Sequence, residues 1–238
     1  PETLGGTEVG QAINDIAVSG KYAYTINDSD ASTGREFRIT DISNPSSPVE
    51  IGGLDFAQAE GVNPQSIVIQ GKYAFISMAD ITGTCSGTTV TGCEIRVYDI
   101  SNPSSITAVG GFDTSSVKVG NIQLSGKYLY AALNANSGTE FRIYDVSTPT
   151  AIIEIGSGIE VGQHVNEVFI QGKYAYIVND TDAGAGNEFR IIDISNPLSP
   201  SAAGGANLTV EGGNIYVSGR YAYITTAAGA GTCSGATT

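Results

Sequence analysis

The chain has 238 residues, 41% of them apolar and only 15% charged, against about 25% charged in an ordinary soluble domain. It is long enough to bury a core, and it contains no apolar run of the length that spans a membrane. With 11 basic residues against 24 acidic ones and a formal charge of −13, it is unsuited to nucleic acid or an anionic membrane surface as partner. The 31 glycines, with many Ser, Thr and Asn, point to a turn-rich all-β chain.

The chain opens at Pro1 with PETLGG, so there is neither an initiator Met nor a signal peptide to read. The segment aligns with PVEIGG from Pro48, which places the start of the chain inside a repeat. Next comes NDIAVSG, an alternating strand with Ile16 and Val18 on one face, then a glycine turn and a second strand in GKYAY from Gly20. The same phrase returns as GKYAF from Gly71, GKYLY from Gly126, GKYAY from Gly172 and GRYAY from Gly219, at intervals of 46 to 55 residues. A third strand follows in REFRITDIS, CEIRVYDIS, TEFRIYDVS and NEFRIIDIS, each closed by a proline turn such as SNPSSP. A fourth runs through VEIGGL, TAVGGF, IEIGSG and SAAGGA.

Four strands in about 45 residues make one blade of a β-propeller. The expected fold is therefore an all-β propeller of four-stranded antiparallel blades, with about five repeats visible and the last incomplete. The chain divides into units of approximately 1–47, 48–105, 106–150, 151–199 and 200–238 within a single domain. The tyrosines of the second strand are expected to pack between blades.

FRIYD followed by VSTP, and IRVYD followed by ISNP, resemble the LVIVD repeat of bacterial and archaeal surface proteins. That family combines an xVxVxGxYAYVA segment, an LxVxDVSxPxxP segment and a VG-containing strand, and all three are matched through nearly the full length. Only the loop between the second and third strands departs, being longer here. The resemblance implies a propeller, a secreted or cell-surface setting and a non-catalytic interaction role. It transfers no site residues, because the family has no shared catalytic motif.

Cys85 and Cys93 flank the long loop of the second unit and are expected to form a disulfide, implying an oxidising compartment. Two reduced thiols in a loop are the alternative, and a zinc site lacks its remaining ligands. Cys233 aligns with Cys85 without a partner before Thr238, and the fifth third-strand phrase is missing too. The slot it leaves is expected to be filled by natural sequence beyond Thr238 or by a strand from a neighbouring molecule.

The loops NDSDASTG and NDTDAGAG place Asp28 with Asp30, and Asp180 with Asp182, at the spacing of calcium ligands, although neither completes an EF-hand. A solvated hairpin tip explains the same residues. Asn27, Asn179 and Asn207 begin N-x-S/T sequons. His164, the single histidine, has no nucleophile motif beside it and reads as a polar loop residue. Asp15, Ser66, Asn121, Glu167 and Asn214 enter the inner strands; they ring one mouth of the channel as a ligand site, or simply serve strand entry. The pairs Glu36 with Arg38, Glu94 with Arg96, Glu140 with Arg142 and Glu188 with Arg190 share a strand face and read as repeated salt bridges, not as the paired acids of a glycosidase.

The function expected is a secreted or cell-surface, non-catalytic structural or adhesive module that binds protein partners or itself, including assembly into a surface layer or filament. A lectin is the alternative, weakened by the absence of Trp; a propeller glycosidase or lyase comes third.

Overall fold

Alternating strands hinged on glycine turns build the first blade, and the rest of the chain repeats it. The structure, a computed structural model, describes residues 5–6, 10–28, 34–56, 63–79, 83–115, 117–135, 138–180 and 186–226. In the first blade β1 (Ile13–Ser19), β2 (Tyr22–Asn27), β3 (Phe37–Asp41) and β4 (Val49–Leu54) pair antiparallel in chain order. The second holds β5 (Asn63–Gln70), β6 (Tyr73–Ala79), β7 (Ile95–Asp99) and β8 (Thr107–Phe112). The third holds β9 (Val119–Ser125), β10 (Tyr128–Leu133), β11 (Phe141–Asp145) and β12 (Ile153–Ile159). The fourth holds β13 (Val165–Gln171), β14 (Tyr174–Asn179), β15 (Phe189–Asp193) and β16 (Ser201–Ala206). Among the described residues the fifth sheet has two strands, β17 (Gly212–Ser218) and β18 (Tyr221–Thr226). No helix of the described residues is long and apolar enough to cross a membrane.

The sheets are phased differently from units drawn at the proline turns. The strand after each proline turn pairs with the one before it, so β4 closes the first blade instead of opening the second. The two-residue GK turn explains the invariant spacing within the inner hairpin. Gly20, Gly71, Gly126, Gly172 and Gly219 have φ of 59°, 59°, 61°, 63° and 61°, the positive value that the first position of a type II′ hairpin turn requires.

Innermost strands β1, β5, β9, β13 and β17 pack side by side in sequence. The core lies between blades, not within them. At the first junction Tyr24, Ile26, Phe37 and Ile39 meet Ile67, Ala74, Ile76, Met78 and Tyr98 of the next blade. At the second, Phe75, Ile95 and Val97 meet Ile122, Leu129, Ala131 and Tyr144; at the third, Tyr130, Phe141 and Ile143 meet Val168, Ala175, Ile177 and Ile192. Each such aliphatic or aromatic side chain contributes about 1.5–3 kcal/mol on full burial. Each blade thus has a forward face that is partly aromatic and a rear face that is mainly aliphatic. Among the described residues the first rear face and the fifth forward face have no such neighbour: Ile16 is 57% exposed and Tyr223 58%, while their counterparts Ile67 and Tyr24 are 3% and 6%.

Junctions are also locked at the outer strand. Gly52 lies against the Pro103 carbonyl of the next blade, Gly110 against that of Pro149, and Gly156 against those of Pro197 and Leu198. Gly5 lies in the same way against Pro45, the place of a preceding blade's fourth strand, as the match of PETLGG to PVEIGG implies. Replacing Gly52→Val drives a side chain into a backbone carbonyl. It is expected to cost about 2–3 kcal/mol and to lower Tm by roughly 5–10 °C in thermal unfolding. Gly6→Ala, which meets no atom within 4 Å, is expected to be neutral.

Candidate interaction face

Each GK turn brings a lysine over the end of the third strand. Lys21 Nζ lies 2.9 Å from Asp41 Oδ2, Lys72 2.6 Å from Asp99, Lys127 2.8 Å from Asp145 and Lys173 3.3 Å from Asp193. The other oxygen of each aspartate accepts from the amide of the serine two residues on, Ser43, Ser101, Ser147 or Ser195, as an Asx turn requires. Each ammonium also lies about 5 Å from the ring of the tyrosine that follows it, Lys21 at 5.0 Å from Tyr22 and Lys173 at 4.9 Å from Tyr174. The Lys72 and Lys127 ammonium groups, and then the serines, hold Asp99 and Asp145 down from 3.8 to about 2; for Asp41 the Ser43 hydroxyl leads, with the same result.

Because the inner hairpins run the same way, all these turns lie at one end of the blades. Gln70 Nε2 donates to Gly126 O at 2.6 Å and Gln171 Nε2 to Gly219 O at 3.0 Å, tying neighbouring turns together. Between blades the lysines and tyrosines line equivalent shallow clefts of about 410, 550 and 570 Å³ at the first, second and third junctions.

At the inner strands Asp15, Ser66, Asn121 and Glu167 bond to a neighbouring blade, while Asn214 bonds within its own hairpin to the Thr225 hydroxyl. A bulge interrupts the ladder between Ile13 and Asp15, Pro64 and Ser66, and Val165 and Glu167, and bulges leave backbone groups unpaired. Side chains of the preceding blade take up amides there: Asp15 Oδ2 accepts from Ile67 N at 2.9 Å, Asn121 Oδ1 from Val168 N at 3.2 Å, and Glu167 Oε2 from Ile215 N at 2.6 Å. Asp15 also accepts from the Ser66 hydroxyl. Burial pushes the Glu167 carboxyl up. These contacts are structural links between blades, and they account for the residues without a ligand.

The glutamates read from sequence as salt-bridge partners are buried and serve another purpose. Glu36 accepts from Phe56 N at 2.6 Å, Glu94 from Thr114 N at 2.8 Å, Glu140 from Val161 N at 2.6 Å and Glu188 from Leu208 N at 2.6 Å. Each anchors the connection from the fourth strand to the next blade. Of the arginines, Arg38 reaches the fourth-strand Glu50 at 2.7 Å and Arg142 reaches Glu154 at 3.7 Å, whereas Arg96 donates to the carbonyls of Cys93 and Thr91 and Arg190 to that of Val161. Spacing on one strand could not reveal this, because the acceptors' partners lie about 20 residues downstream.

Cys85 and Cys93 form a disulfide, with Cα atoms 4.9 Å apart, and the Cys93 sulfur end packs into the first junction. Of the calcium candidates, Asp28 and Asp180 each accept from an inner-strand asparagine, Asn14 or Asn166, at 2.8 Å. Asp30 and Asp182 lie outside the described residues, as does Cys233. No group of three metal-ligating side chains occurs among the described residues. His164 Nδ1 lies 3.5 Å from Asp180 Oδ2 and its carbonyl accepts the Asp180 amide, closing that hairpin. The sequon asparagines Asn27 and Asn179 are 1% and 0% exposed, closed to a glycosyltransferase in the folded chain, whereas Asn207 is exposed.

Two measurements probe these contacts. The folded aspartates bind their last proton near pH 2 while the unfolded ones do so near 3.8. Their stabilisation is therefore complete above about pH 4 and lost as pH falls through about 2. Asp145→Asn is expected to flatten the acid limb of a stability profile measured between pH 6 and 2. Glu94→Ala strands the buried Thr114 amide and is expected to cost about 1–3 kcal/mol in chemical denaturation, with Glu94→Gln recovering part of the loss.

Comparison with curated proteins returned no match. In fold the chain is similar to a chain of a nidogen/laminin complex, at 14% identity and a TM-score of 0.60, over 91% of this chain and 72% of that one. A protein from Lactobacillus plantarum has 13% identity and a TM-score of 0.60, over 90% of this chain and 64% of that one. A putative 6-phosphogluconolactonase from Bacteroides uniformis has 18% and 0.55, over 88% and 62%. The chain thus spans less than two thirds of the length of these last two. The LVIVD repeat model matches residues 10–55, 92–114, 118–158, 162–207 and 211–229. Over most of its length, with every matched segment carrying blade strands, this chain belongs to the LVIVD repeat family of β-propellers.

Proposed function

We propose that the chain is a non-catalytic interaction module of a secreted or cell-surface protein, binding protein partners through its turn face. The observation that carries this reading is the repetition of one Lys–Tyr cleft at three successive blade junctions. A row of shallow, equivalent clefts suits an extended partner surface better than a single small molecule enclosed in a deep pocket. The lysines are charge-paired within the protein, so the face offers hydrogen-bond donors and ring surface without a strong field. The Cys85–Cys93 disulfide supports an oxidising compartment. The nidogen/laminin structure is of a complex, which agrees with propellers being used as binding scaffolds.

Immobilised chain probed with the surface-protein fraction of the producing cells is expected to show saturable binding. The Lys72→Gln, Lys127→Gln double variant is expected to weaken it about five-fold or more. Binding confined to a glycan array moves the reading to a lectin. Turnover of a glycoside substrate overturns it.

A further inference from the structure

Three asparagines carry the N-x-S/T acceptor pattern, and packing separates them. Asn27 and Asn179 end the second strands β2 and β14 and are 1% and 0% exposed. Their amide groups turn back onto the carbonyls of Asp28 and Asp180, at 3.2 and 2.9 Å. A sugar on either Nδ2 has no room in the close-packed blade, so a chain modified there before folding cannot pack.

Asn207 stands differently. It opens the connection from β16 to β17, directly before the Leu208 amide that Glu188 holds. The residues at the same point of the other connections, Asp55, Asp113 and Glu160, precede the amides held by Glu36, Glu94 and Glu140. All three are exposed, as Asn207 is, so its exposure belongs to the repeat and not to the two strands of the fifth sheet. The local fold recurs as well. Thr209 N donates to Asn207 Oδ1 at 2.8 Å with φ of 61° at Thr209, and Ser115 N to Asp113 Oδ1 at 2.7 Å with φ of 66° at Ser115. Of the four positions Asn207 alone carries an amide, and Thr209 completes its acceptor pattern.

The site also tolerates the product. Asn207 Nδ2 donates one hydrogen to Gly186 O at 3.1 Å, and an amide nitrogen has a second that can be replaced while this bond stands. Strand β16 starts with Ser201 opposite Asp193, the aspartate that Lys173 holds, and ends with Ala206 opposite Phe189. Asn207 therefore lies at the end of the blades away from the GK turns.

We propose that Asn207 is the acceptor of an N-linked oligosaccharide, carried at the end of the blades opposite the interaction clefts. The donor class is an oligosaccharide on a lipid pyrophosphate. Asn207 Nδ2 bonds to C1 of the first sugar, the C1–O bond to phosphate breaks, the lipid pyrophosphate leaves and the amide proton passes to the transferase. The proposal rests on the secreted or cell-surface setting and uses none of the cleft residues.

Peptide mass mapping of the chain isolated from its producing cells is the test. The peptide holding Asn207 is expected to gain the mass of an oligosaccharide, and those holding Asn27 and Asn179 to keep their unmodified masses. Secreted from a host that N-glycosylates, Asn207→Gln and Thr209→Ala are each expected to lose the gain completely, while Thr209→Ser retains it. A bare Asn207 in the folded chain, sugar on Asn27 or Asn179, or a gain that survives Thr209→Ala overturns the inference. The same map separates its failure from that of the secreted setting. Bare Asn207 beside an oxidised Cys85–Cys93 pair removes the glycan alone, whereas bare Asn207 with both thiols free removes the oxidising compartment too.

Discussion

A sheet with apolar side chains on both faces cannot stand alone in water, and every other feature of this molecule follows from that constraint. Ile67 and Phe75 belong to one blade but are buried by different neighbours, Ile67 by the blade before and Phe75 by the blade after. The blade is therefore a unit of sequence and of hydrogen bonding, while the unit of stability is the junction. The polar contacts obey the same division. The Lys–Asp clasp holds a blade's own turns together, whereas the Asp15–Ile67, Asn121–Val168 and Glu167–Ile215 contacts join one blade to the next.

This division explains why repeated charge does not imply chemistry here. A buried carboxylate such as Glu36 or Glu140 would attract notice as a candidate acid in an isolated site. Each is instead the acceptor for an amide at the start of a connection, a group that must be paired once buried. The connection between blades carries few backbone partners of its own. A glutamate at a fixed point of the third strand supplies one, and so it recurs at every complete blade.

Function is correspondingly left to what the repeat places at the surface. The turn face presents the same cleft three times because the clasp that forms its walls is a structural necessity, present wherever a hairpin meets a third strand. Among the described residues the first and fifth blades differ, since apolar side chains such as Ile16 and Tyr223 are exposed there. Tyr216, Tyr221 and Tyr223, at 58–63% exposure, are the forward-face residues of a junction that the described blades do not complete.

The blade could be read from sequence because its signals are local. Two-residue alternation, a glycine forced to positive φ, and an Asx-proline turn act within a few residues, so NDIAVSGKYAY and FRITDISNP specify their own conformations. The family resemblance and the disulfide partners were visible for the same reason, being short phrases and a short loop. Partner assignments across blades were not visible. That Glu36 reaches Phe56 and that Asp15 caps the amide of Ile67 depend on how connections and bulges turn backbone groups towards a neighbouring sheet. Nor could the sequence show that the sequon side chains of Asn27 and Asn179 are buried while Asn207 is open. Local propensity fixes the direction of a strand, but only packing of one sheet on the next decides which of its two faces meets solvent.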